Sequence, residues 1–297
     1  MPTPASDVVP ALVRSPWPVR AVWLAQALCL APALSAWLDD ASAPVRWVAA
    51  VGAWGAWLAV LVATLVPTTL SLTLVRLGGP AAAVAALGAL VATGASAATV
   101  VGLVAGLVAL LVCLAPETAE VFVDGSSYGD ERRMPLRTPA PLLAGPAELA
   151  WAVVAAGVAA GPLLLAARQW LAGAVALAVG LPLARVAVRS LHALSRRWLV
   201  FVPAGLVVHD PLVLAEPILL ARTAVRRLGP APAGSDALDL TGGAWGLALE
   251  ARLVGPITLA RLAPRRAPVE VADVTALLVT PSRPGRVLAE ARRRRIG

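Results

Sequence analysis

The sequence predicts an α-helical polytopic membrane bundle of about six spans, followed by a small β-rich cytoplasmic domain that ends in a helix. Three observations carry this expectation. The 297-residue chain is 59% hydrophobic and 14% charged, with a mean hydropathy of +0.80, whereas soluble domains carry about 25% charged residues. Apolar runs of about 20 residues, the length that crosses a hydrocarbon core, recur as far as residue 190. Beyond Ser195 the texture changes, with fifteen arginines and eight acidic residues among prolines and glycines spaced like turns.

Residues 1–18 read as a cytoplasmic tail, and residues 19–115 as four membrane helices. The first uncharged run, 21–38, lies between Arg20 and the pair Asp39, Asp40. A cleaved signal sequence is the competing reading, because Arg14, Arg20, the apolar core and the small residues Ala33 and Ser35 imitate that pattern. Residues 47–75 carry no charge, and as one helix at about 1.5 Å per residue they would exceed a core of roughly 30 Å. Pro67, which lacks an N–H, is therefore expected to end the second span at Val66. TTLSLTLVR then reads as a kinked extension and Arg76 as the exit. Residues 80–115 are again uncharged and read as two short spans turning at Thr93, Gly94, Ala95 and Ser96. A re-entrant half-helix is the alternative for residues 80–94.

A polar loop, 116–146, separates these from two more helices within 147–190, divided only by Ala167, Arg168 and Gln169. With both termini cytoplasmic, ten arginines of the membrane region and its flanks fall inside and only Arg46 and Arg168 outside, which follows the positive-inside tendency. Trp17, Trp37, Trp47, Trp151, Trp170 and Trp198 fall near expected span ends, where indole rings favour the headgroup level. The expected location is the cell (plasma) membrane, a bacterial inner membrane, multi-pass. Gly102 with Gly106 and Gly157 with Gly161 have the GxxxG spacing of close helix contacts, read as packing within one bundle, with a dimer interface as the alternative. No Asp, Glu, Lys or His falls deep in a span, which weakens ion pumps and proton-coupled carriers as a class.

All 25 basic residues are arginine and the net charge is +8. In a membrane chain this balance is the ordinary signature of cytoplasmic loops, so no nucleic-acid partner is expected. Cys29, Cys113, His192 and His209 have no neighbours at metal-ligand or redox spacing. No catalytic residue, metal or cofactor is expected from them.

Residues 195–297 read as the β-rich domain. WLVFVP (198–203), a turn at Ala204 and Gly205, and LVVHD (206–210) form a hairpin. Further strands are expected at 212–214, 218–221, 238–240, 246–252, 256–262 and 269–280, a spacing that suits a small antiparallel sheet or barrel. Ser282 offers an N-cap and Pro284 suits the first turn of a final helix. Its arginines lie towards the negative end of the helix dipole. RRWLVFVPAGLVVHD (196–210) and ALLVTPSRPGRVLAEARRRR (276–295) resemble the pleckstrin-homology-like domains found on small bacterial membrane proteins. The resemblance covers about a third of the chain. It implies a cytoplasmic binding module for a protein partner or for lipid headgroups and no catalytic residues; the lysine-rich loop of phosphoinositide-binding members is missing here.

Two clusters are the interaction candidates. The first is Asp124, Tyr128, Asp130, Glu131, Arg132 and Arg133, in the polar loop VDGSSYGDERRMPLRTP (123–139). Its GSSYG matches the G-x-S-x-G nucleophile elbow with Ser127 at the serine position, and AEVFVD in front of it would be the strand. The elbow then needs a helix, which Pro135, Pro139 and Pro141 oppose. Asp124, Asp130 and Glu131 as a cation site fit no EF-hand spacing, and Arg132 and Arg133 compete for the carboxylates. A turn or hairpin whose charges pair with each other or with the C-terminal domain is the simpler reading. The second cluster, Arg292, Arg293, Arg294 and Arg295, reads as a patch for anionic lipid headgroups or as a solvated helix end. The expected role is a membrane scaffold or accessory protein, with the lipid bilayer and a protein partner as its contacts. The alternative is a small-molecule or lipid transporter gated by the C-terminal domain.

Overall fold

The computed structural model describes residues 15–262 and 270–297; the expected tail as far as Arg14 and the start of the last expected strand, Val269, lie outside them. In chain order the first elements are α1 (Trp17–Leu38), α2 (Ala43–Leu65), α3 (Thr69–Thr93), α4 (Ala97–Leu114) and α5 (Pro116–Asp124). Then come β1 (Arg132–Pro135), the single turn α6 (Ala140–Leu143), α7 (Pro146–Ala166) and α8 (Trp170–Ser195). Among the described residues six helices, α1 to α4, α7 and α8, are long and apolar enough to cross a membrane. The chain is a multi-pass membrane protein.

The break at Pro67 falls where the sequence placed it, but residues 69–75 open α3 instead of extending α2. Thr68 is the reason, since its hydroxyl accepts the Ser71 N–H at 3.1 Å and starts a new helix just after the proline. Arg76 and Pro80 therefore lie inside α3, which runs 25 residues as one span and replaces both the expected exit and the re-entrant alternative. Pro80 cannot donate to the Arg76 carbonyl. The neighbouring Leu77 carbonyl accepts the indole N–H of Trp151 at 3.0 Å, which ties α3 to α7 at this point. Gly94 at φ 82° and a reciprocal cap between Ser96 and Thr99 make the turn into α4.

Small residues and borrowed backbone acceptors hold the bundle. A Cβ on Gly102 would press on Ala33 of α1, and one on Gly106 would meet the α3 backbone at Ala82 and Ala83. Gly157 lies so close to Gly180 of α8 that a Cβ would overlap its carbonyl oxygen, and Gly161 meets Leu177. Both GxxxG pairs thus serve contacts between helices of one chain. Trp23 and Trp57 donate to each other's backbone carbonyls at 2.9 and 3.0 Å, tying α1 to α2. Arg20 caps the C-terminal end of α2, its guanidinium reaching the Thr64 carbonyl at 2.8 and 3.0 Å.

The remaining elements are β2 (Trp198–Val202), β3 (Gly205–His209), β4 (Ile218–Ala221), β5 (Val225–Pro230), β6 (Leu238–Asp239), β7 (Leu249–Arg261), β8 (Glu270–Val279) and α9 (Pro284–Arg294). They form two four-stranded sheets, β1-β2-β3-β4 and β5-β7-β8-β6, with β6 parallel to β8 and the other pairs antiparallel. Several strand expectations are corrected. Residues 212–214 are not a strand; Leu214 makes one isolated bridge to Arg261. The two strands expected at 246–252 and 256–262 are one continuous β7 with a register shift between Arg252 and Ile257. β5 was not expected at all, because its buried positions Val225 and Gly229 are split by the exposed Arg226 and Arg227. The final helix is capped at Arg283 without a side-chain hydrogen bond, so Ser282 is not its N-cap, while Pro284 does take the first helical position.

The chain divides into two compact units that do not follow chain order. Among the described residues, one holds those up to Gly125 with Leu149–Leu191, and the other those of Ser126–Glu148 with His192–Gly297. In the second unit the sheets and α9 enclose a core that includes Met134, Leu199, Phe201, Leu249, Leu277 and Val287. The α7–α8 hairpin is therefore an insertion between β1 and β2, two adjacent strands of one sheet.

Candidate anion-binding face

The polar loop is part of the second unit's framework. AEVFVD is the end of helix α5 and not a strand, since Pro116 opens that helix and Glu117 sits in its first turn. GSSYG follows this helix and leads through a turn at Gly129, φ 58°, into β1. The strand-then-helix setting of a nucleophile elbow is reversed here. Asp124 ends α5 and belongs to the first unit. Glu131 pairs with Arg133 at 3.1 Å. No three His, Cys, Asp or Glu side chains converge on a metal-sized space among the described residues. Tyr128 is 88% exposed and Arg132 is exposed at the start of β1.

Arg133 reaches two ways. Its Nη1 donates to Ser126 Oγ at 3.0 Å. Its guanidinium also lies 5.9 Å from the ring centre of Trp198, and that ring stacks on His209 at 4.5 Å. Beside Trp198 in the chain, Arg197 has a side chain 1% exposed, and that of Asp210 is 0% exposed. Arg197 Nε donates to both Asp210 oxygens at 2.9 Å and Nη2 to Oδ2 at 2.6 Å, while Nη1 donates to the Arg137 carbonyl. The Leu212 N–H adds a third donor to Asp210. The hairpin register explains the pairing, because Trp198 faces His209 and the next pair outward is Arg197 with Asp210. Gly205, at φ 156°, permits the tight loop; a Cβ there would overlap the Leu220 carbonyl oxygen.

The two candidate clusters meet at the end of α9. Arg294 donates to the Asp130 carbonyl and to Glu290 at 2.6 Å, and Arg293 pairs with Glu290 at 2.5 Å. The hydrogen bond from Arg293, and after it the one from Arg294, hold the Glu290 carboxyl below its ordinary range against the opposing effect of partial burial. Arg295 follows at φ 55°, and Ile296 then turns into the core at 2% exposure. A shallow, open concavity of about 370 Å³ results, lined by Val202, Pro203, Arg222, Arg293, Arg294, Arg295 and Ile296. Four arginines thus surround it with Glu290 as the carboxylate paired to two of them. Arg222, Arg292 and Arg295 have no carboxylate partner among the described residues. The fold brings Arg222 here from the turn after β4, which sequence position alone did not reveal. The surplus of positive charge on a partly apolar wall suits an anion attached to an apolar body.

A membrane bundle bearing a two-sheet unit closed by a helix defines the class. No protein-family model matches the chain, and neither the curated proteins nor the solved structures include a match.

Proposed function

We propose that this protein is an accessory or scaffold component of a bacterial cell membrane, with both termini cytoplasmic and the second unit acting as a pleckstrin-homology-like binding module for anionic surfaces. The observation that carries the reading is the arginine concavity at the end of α9, where Arg222 and Arg295 have no carboxylate partner among the described residues and the exposed Arg292 adds a third such charge on the same helix end. The distribution of arginines between the loops supports the cytoplasmic orientation, and the two sheets closed by a C-terminal helix support the module's kinship. The transporter alternative gains little from the bundle's hydroxyls. Thr64, Ser71, Thr73, Thr93 and Thr118 each donate to a nearby backbone carbonyl.

Co-flotation tests this reading. Full-length protein in neutral-lipid nanodiscs is mixed with vesicles of phosphatidylglycerol and phosphatidylcholine, or of phosphatidylcholine alone. Binding only to the anionic vesicles, lost in Arg222→Ala/Arg292→Ala/Arg295→Ala, is expected. Equal flotation of wild type and variant removes the proposal.

A further inference from the structure

Among the described residues, Trp245 is the one exposed tryptophan outside the six helices long and apolar enough to cross a membrane, at 73% exposure. Leu247 beside it is 50% exposed. They stand on a loop shaped by Gly242, Gly243 and Gly246, at φ 62°, 75° and 122°, conformations that other residues adopt only with strain. The loop is fixed against the chain just before α7. The Ala140 N–H donates to the Gly243 carbonyl at 3.4 Å, and the Arg137 guanidinium lies against Gly246. Leu143, at the end of that segment, is a further exposed apolar side chain at 47%.

The covalent chain identifies what covers this face. Leu143 is three residues from Pro146, where a membrane-spanning helix begins, so it stays within about 11 Å of the start of that span. The start is well set, with Pro146 in the first helical position and Glu148 accepting the Gly145 N–H at 3.0 Å. An exposed tryptophan and two leucines beside an arginine, on a loop held against the segment 137–143 that leads into the span, have the composition of a headgroup-level anchor. We infer that the Trp245 loop and Leu143 are seated in the interface of the bilayer that α7 enters, a lipid contact separate from the arginine concavity.

The test is made on the full chain in vesicles. In a Cys29→Ala/Cys113→Ala background, Trp245→Cys and Val271→Cys each receive an environment-sensitive fluorophore; Val271 is an exposed apolar reference in the same unit, at 70%. Lipid carrying a shallow doxyl quencher is expected to quench the label at 245 several-fold more than the label at 271. A second measurement avoids the cysteine replacements. With brominated lipid, Trp245→Phe in the native chain should lower the quenchable intrinsic fluorescence by about one tenth, one tryptophan of ten. Equal doxyl quenching at 245 and 271, or an unchanged bromine-quenchable intensity in Trp245→Phe, overturns the inference. The arginine proposal stands or falls separately.

Discussion

Arg197 and the arginines at the end of α9 belong to the same unit and have opposite surroundings. Arg197 is enclosed, with its hydrogen bonds spent on Asp210 and the Arg137 carbonyl. Arg222, Arg292 and Arg295 are exposed and lack a carboxylate partner among the described residues. An enclosed charge with each guanidinium nitrogen hydrogen-bonded fixes strand geometry and offers little to a ligand, whereas an uncompensated surface charge costs little to keep and remains free to bind. Residue type and sequence neighbourhood do not separate the two; burial and partners do.

The largest effect should come from breaking the enclosed pair. Arg197→Ala leaves Asp210 buried and uncompensated, and is expected to destabilise the second unit by about 3–5 kcal/mol. Denaturation of the purified protein in detergent measures this, and Arg197→Met/Asp210→Leu should recover most of the loss. Next comes Met134→Ala on β1, where removing a buried side chain is expected to cost about 2 kcal/mol or more. Hydrogen exchange should then rise along β1 and β2 together, while unchanged exchange in β2 would show β1 to be peripheral. The exposed arginines should behave in the reverse sense. Arg222→Ala and Arg292→Ala should each weaken capture by anionic vesicles about fivefold and leave the unfolding temperature in place.

The smallest effect is that of pH on Glu290. Because its folded carboxyl is held below the ordinary range, its contribution is fully present above the unfolded carboxyl value of about 4.3 and lost as pH falls through the depressed folded value. Glu290→Gln should remove that dependence from the end of α9. Thermal unfolding between pH 6 and the acid limit compares the two proteins.

The six spans were legible because lipid demands long apolar runs, and Pro67 marked its break correctly. Pro80 and Arg76 misled because a helix packed within a membrane bundle tolerates an interior proline, as α3 does where Trp151 ties it to α7. β1 was hidden for a different reason. RRMP has no strand-like alternation, and its partner β2 follows only after the whole α7–α8 hairpin. The Arg197–Asp210 pair was within reach of register reasoning, but it requires the turn at Pro203 and Ala204. A turn at Ala204 and Gly205 moves the register and separates the two side chains. The arginine run of α9 was plain in the sequence; its fourth wall, Arg222, needed the fold.

One paired measurement bears on the division between structural and binding arginines most directly. Anionic-vesicle flotation is compared between Arg197→Met/Asp210→Leu and Arg222→Ala/Arg292→Ala/Arg295→Ala, both as full-length proteins with unfolding temperatures recorded alongside. The first variant should float like wild type and the second should stay behind while remaining folded. Loss of flotation in the first with retention in the second would contradict the assignment.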